Sequence, residues 1–241
     1  MGLANYIPIA TGLFCAFFFV EIFQHWQKHR QSLHLLWWTA GIFFYGAGTI
    51  PESIHTLSGY HPANFKAWYI LGAILGGAPL AQGTVYLLMK RKTANLLSII
   101  LILVFIASSI LVILSPLKPV DDRFIKLSGK LFEWQFIRYI TPFINLYAFI
   151  FLVGGAIYSA FLYSKSSIDK SRFWGNVLIA IGGLLPGLGG SLSKVGGHIE
   201  ILHITALLGI SCIHAGYQTI RSSSLPSIYA AQAKPDQSEL S

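Results

Sequence analysis

Seven long apolar runs dominate this 241-residue chain, and no other feature constrains its fold as much. A helix needs roughly 20 apolar residues to cross about 30 Å of hydrocarbon. Runs of that length fall at about 5–26, 33–57, 65–89, 94–115, 136–163, 172–194 and 198–219. They use nearly the whole sequence and leave no room for a second folded domain. Hydrocarbon offers the backbone no hydrogen-bonding partner, so each run must satisfy its own N–H and C=O groups as a helix. Runs this long also exclude the shorter alternating strands of a membrane barrel. The expected fold is therefore all-α, a polytopic seven-helix transmembrane domain over 1–221 followed by a disordered tail at 222–241. Composition agrees, with 54% hydrophobic and 11% charged residues and a mean hydropathy of +0.61. That is too apolar for the surface of a soluble domain of this size. The first run follows no basic segment and precedes no small-residue cleavage site, so it reads as a retained span.

Charge then sets the expected orientation. Lys28 and Arg30 flank the first turn, Lys90, Arg91 and Lys92 the third, and Lys165, Lys170 and Arg172 the fifth, while Arg221 and Lys234 follow the last span. Basic loops mark the cytoplasmic side, which places the N-terminus outside and the C-terminus inside. The formal charge of +8 thus reports membrane topology, with no nucleic-acid partner implied. Lys118, Arg123, Lys126, Lys130 and Arg138 in the fourth connection run against this pattern, partly offset by Asp121, Asp122 and Glu133. There Phe124, Leu127, Leu131 and Trp134 recur at helical spacing, as in an interfacial amphipathic helix over about 120–134. A basic solvated loop is the alternative.

The sixth span reads "IGGLLPGLGGSLSKVGG", where Pro186 should kink the helix and Gly183 with Gly187 offer a small-xxx-small face to a neighbour. A broken helix lining a cavity is the functional counterpart of that packing reading. The third span carries Gln82 among glycines that a buried helix interface explains. Cys15 and Cys212 lie inside spans without paired spacing, so they read as small core residues.

The residues that could carry chemistry form a repeated pattern. Glu52 and His55 make Glu-x-x-His at the outer end of the second span, and Glu200 and His203 make another at the outer start of the seventh. Residues three apart share a helix face, so each pair offers a carboxylate oxygen and an imidazole nitrogen to one point. Two facing helices could then hold one zinc or iron ion through Glu52, His55, Glu200 and His203, with His61 or His198 assisting. A di-iron site lacks ligands, because the remaining intramembrane acid, Glu21, lies on the order of 20 Å away at 1.5 Å per residue. Interfacial hydrogen bonding is the plain alternative for these groups. At the inner side His25, His29 and His34 surround a basic turn suited to lipid headgroups, whereas His214, deep in the seventh span, requires a partner. His25 or His34 with His214 inside, and His55 with His203 outside, could also ligate two haem b groups as a transmembrane electron path. No span carries the central lysine of a retinal Schiff base, and no phosphate-binding Gly-Lys-Ser/Thr loop, Gly-x-Ser-x-Gly, Cys-x-x-Cys or His-Glu-x-x-His motif occurs.

At "LHLLWWTAGIFFYGAGTIPESI" and "WYILGAILGGAPLAQGTVYLLM" the chain resembles uncharacterised small bacterial seven-helix membrane proteins. More faintly it resembles the seven-helix sensor region of bacterial histidine kinases. That resemblance implies a bacterial inner-membrane protein with a ligand-sensing role and, since this chain has no kinase domain, a separate membrane or cytoplasmic protein partner. The expected function is an outward-facing polar or metal-binding site between the second and seventh helices, its reaction unassigned. The alternatives are a sensor or structural subunit without catalysis and a haem-bearing electron carrier.

Overall fold

The apolar runs all fold as helix. The structure is a computed structural model describing residues 6–121, 125–164, 170–196 and 199–232, and of 194–196 and 223–232 it describes the backbone alone. In order come α1 (Ile7–Lys28), α2 (Leu33–Ser58), α3 (Pro62–Trp68), α4 (Ala78–Leu88), α5 (Arg91–Leu114), α6 (Ile137–Ala148), α7 (Gly155–Ser164), α8 (Lys170–Gly196) and α9 (Ile199–Gln232). The third expected span is discontinuous. α3 passes into a wider π-helical stretch at Tyr69–Ile74, and α4 restarts with Pro79 in its first turn, where a missing N–H costs nothing. A second π-helical stretch, Phe149–Gly154, joins α6 to α7.

Six segments are long and apolar enough to cross a membrane: Ile7–Lys28, Pro62–Leu88, Arg91–Leu114, Ile137–Ser164, Lys170–Ser193 and Ile199–Ser222. The chain is a helical, multi-pass membrane protein. The second of the seven expected spans, α2, is not among these six, although it has the length at 26 residues. It falls short in hydropathy, because His34, two tryptophans, three threonines, a tyrosine and three glycines dilute its leucines and isoleucines. Lipid-facing surface is plain on α5, where Leu96, Ile99, Leu103, Ile106, Ile110 and Ile113 are all exposed.

Three expectations need correction. Where an interfacial helix was expected over 120–134, residues 122–124 lie outside the described ones, and the rest makes a single 3-10 turn at Gly129–Leu131. This segment is folded all the same. Leu127, Leu131 and Phe132 are buried against Phe65, Tyr69 and Phe105, so their spacing reflects docking onto α3 and α5. The tail expected to be disordered from 222 continues α9 as helix to Gln232, and 233–241 lie outside the described residues. The broken helix considered as the functional reading at Pro186 does not occur, since α8 is continuous across it.

The expected glycine pair is also replaced. A Cβ on Gly187 would meet nothing within 4 Å, and one on Gly183 would touch only Leu152 and Val153 side chains. The close approach of α8 to α9 runs instead along Gly175, Gly182 and Gly189, spaced by seven. A Cβ on Gly175 would lie 2.8 Å from the Gly216 carbonyl oxygen, and one on Gly182 would lie 2.5 Å from that of Gly209. Gly209 in turn makes room for the ring of Pro186, whose Cδ would stand 2.9 Å from a Cβ there.

On the other side of the bundle a polar network joins three helices. Gln82 of α4, fully buried, donates to the Ala94 carbonyl at 3.0 Å and the Ser98 hydroxyl at 2.8 Å on α5, and accepts from the Tyr147 hydroxyl of α6. Ser98 donates on to Tyr86, which donates to Asn95. Gln82→Leu keeps the volume but strands the Tyr147 hydroxyl and one acceptor. It is expected to cost about 1–3 kcal/mol, read as a lower Tm in detergent.

Candidate functional site

The second expected Glu-x-x-His element lies at the α9 start and the first in the last turns of α2, and the fold brings these ends to the same face of the bundle. Pro51 inside α2 keeps its carbonyl in use, accepting from Asn64 Nδ2 at 2.8 Å, which ties the start of α3 to α2. Trp68, at the end of α3, then donates its indole N–H to Glu52 Oε2. The other oxygen, Oε1, lies 3.2 Å from Nε2 of His203 on α9. Both partners are largely withdrawn from solvent, with side-chain exposures of 15% for Glu52 and 7% for His203.

Of the four predicted ligands, two are thus in direct contact. His55 follows Glu52 by one turn, and its Nδ1 is buried without a hydrogen-bond partner. Glu200 precedes His203 in the first turn of α9, where negative charge suits the helix dipole. No group of three metal-ligating side chains converges among the described residues. His61 sits exposed just before α3, and His198 lies outside the described residues. The Tyr60 hydroxyl, beside this end of α2, is likewise buried and unpartnered. Burial holds it above the usual phenol pKa, so it stays a neutral donor.

The inner groups are built differently. His214 finds the partner it requires in Glu21 of α1, Nε2 to Oε2 at 2.8 Å. The other oxygen of Glu21 accepts from Arg221 at 2.8 Å and from Gln218. One helical turn further along α1, His25 Nδ1 shares a 2.7 Å hydrogen bond with the Tyr217 hydroxyl. Phe14, Phe17 and Phe18 set their rings edge-on around the His214 imidazole at centroid distances of 4.7–5.7 Å. His34, the remaining residue of the haem alternative, lies in the first turn of α2 and is partly buried. The ring nitrogens of His25, His203 and His214 that face other helices are therefore engaged with protein groups in this structure.

The two carboxylates differ in one respect that matters chemically. Glu21 has a permanent cation, Arg221, whereas Glu52 meets no lysine or arginine among the described residues. Sequence reasoning missed Trp68 as a donor to Glu52 and read Arg221 only as a topology charge. An indole in a bilayer-border aromatic run gives no signal of its target. Arg221, however, is seven residues from His214 and so on its helix face, a spacing that was visible. Comparison with known proteins adds no relative: no family model, no curated protein and no solved structure matches the chain.

Proposed function

We propose that this is a seven-span membrane protein whose outward face carries a cation-binding site between α2 and α9. The reading counts α2 as a span beside the six apolar ones and takes the face with the α1–α2 turn as cytoplasmic, of the kind the resemblance places in the bacterial inner membrane. Support for the orientation comes from Lys126, one of the fourth-connection charges that ran against it, and from Lys66 in the second connection. Lys66 donates to the Ile113 carbonyl at 2.6 Å and Lys126 to the Ser193 carbonyl at 3.1 Å, at the C-terminal ends of α5 and α8. These two charges serve as helix caps, which leaves them a structural reason to sit on the outer side.

The Glu52–His203 contact carries the functional reading. It joins residues 151 positions apart around a mostly buried carboxylate that no lysine or arginine balances among the described residues. Such a group needs a cation, whether a proton on the imidazole or an ion held jointly by the two side chains. The unpartnered His55 Nδ1 and Tyr60 hydroxyl add unused hydrogen-bonding capacity at the same end, which in native proteins points to a ligand or ordered water. Carboxylate with imidazole suits one zinc or iron ion. Glu52 and His203 would hold it, with His55 and Glu200 as the further donors the repeated Glu-x-x-His supplies. Bound there, the ion would supply a Lewis acid; the reaction stays unassigned.

Elemental mass spectrometry on protein purified in mild detergent without chelator tests this. Near-stoichiometric metal is expected in the wild type and its loss in Glu52→Ala/His203→Ala, with Glu21→Gln keeping it. Metal-free wild-type protein that takes up neither ion on titration would reduce the pair to a hydrogen-bonded clamp between helices.

A further inference from the structure

The helices around the two carboxylates meet through two kinds of interface. Within the α1–α2 hairpin the backbones interlock: a Cβ on Gly12 would lie 2.6 Å from Thr49 Oγ1, and one on Gly46 would lie 2.7 Å from Cys15 Cβ. Within the α8–α9 hairpin the Gly175–Gly216 and Gly182–Gly209 approaches do the same. None of the described glycines makes such an approach between α1 or α2 and α9. That seam is side chain against side chain, with Cys15, Phe18 and Ile22 meeting Ile210, Ile213 and Tyr217 in one apolar cluster.

Polar links cross the same seam in two sets. Towards the outer end, Glu52 meets His203 and the Tyr45 hydroxyl donates to the Ala206 carbonyl at 2.9 Å. Towards the inner end, Glu21 meets His214, Gln218 and Arg221, and His25 meets Tyr217. His203 and His214 are eleven residues apart, three full turns, so they share one face of α9 about 16 Å apart along its axis. Interlocked glycine contacts resist sliding, whereas packed side chains allow the small shear displacements by which helices move as units.

We infer that α8 and α9 move as one rigid hairpin against α1 and α2, and that the two polar sets are the two ends of this movable seam. A change at Glu52–His203 on one face of the membrane is then transmitted to the Glu21–His214–Arg221 cluster on the other. The protein acts as a transmembrane transmitter. This inference goes beyond the cation site and does not depend on it, because the seam couples its ends whatever loads the outer one.

A double-mutant cycle on the full chain in detergent tests the coupling without any ligand. Sites this far apart with no shared partner should lower Tm additively. The Tm loss of Glu52→Gln combined with His214→Gln is instead expected to fall well short of the sum of the single losses, since either change already frees the seam. Gln82→Leu, in the α4–α6 network, combined with His214→Gln should add. Additive losses in both cycles overturn the inference. Hydrogen exchange of Glu52→Gln alone provides a second reading should the double variant not fold. Faster exchange is expected at 214–221 as well as around 203, and a change confined to the outer end would reject the coupling. Both measurements are made on protein kept metal-free with chelator, so failure here and failure of the cation reading are separable.

Discussion

Alanine at Gly182 is expected to lower the stability of the protein by about 1–3 kcal/mol, while alanine at Gly187, five residues away on the same helix, is expected to leave it unchanged or raise it. The new methyl at 182 would stand 2.5 Å from the Gly209 carbonyl oxygen and 2.8 Å from the Ile213 backbone nitrogen. Neither is the movable end of a side chain, so the helices must separate. Separation would loosen the whole α8–α9 contact, because Gly175 and Gly216 lie in the same register one heptad away. At 187 the methyl meets open space and gains the helix preference of alanine over glycine, up to about 1 kcal/mol. Thermal unfolding of both variants in one detergent decides the matter. Equal Tm values for the two would show that α8 and α9 are not held at backbone contact.

The position of each of the six apolar spans was legible because the bilayer imposes a one-dimensional rule, length of apolar run, that needs no partner. What required a partner was not. Gly183 with Gly187 and Gly175 with Gly182 are equally good small-residue patterns on paper; which one closes depends on the register of α9, set by Gly209 and Gly216. The convergence of Glu52 with His203 could be anticipated, since both lie on the same side of the membrane at helix ends. The Glu21–His214 contact could be anticipated only as a need of His214. The restart of the third span was signalled by Gly76, Gly77 and Pro79, a helix stop followed by a helix start, but glycines in a membrane helix have a competing reading as packing surface. In the fourth connection, leucines four residues apart satisfied a helical pattern while being held by Phe65 and Tyr69 of a neighbouring element. Local period cannot distinguish those two causes.

Removing Arg221 is expected to be the most damaging single change at the polar ends of the bundle. Glu21 has 19% of its side chain exposed and takes its formal counter-charge from Arg221 alone among the described residues that contact it; His214 and Gln218 contribute hydrogen bonds. Arg221→Ala would leave a carboxylate facing an imidazole that would have to become protonated to replace the guanidinium. A cost of about 2–3 kcal/mol follows, below the range for fully buried pairs because the Arg221 side chain is 32% exposed. Arg221→Lys should recover only part of it, since an ammonium lacks the planar fork and must reach Glu21 past Gln218. Adding Glu21→Gln to Arg221→Ala should recover more, because the uncompensated charge is then gone and the amide can still pair with Gln218. That order of Tm values, alanine lowest and the double variant above it, separates an ion-pair role from a topological one. A residue present only to mark the cytoplasmic side would tolerate Lys fully, and neutralising Glu21 would bring no rescue.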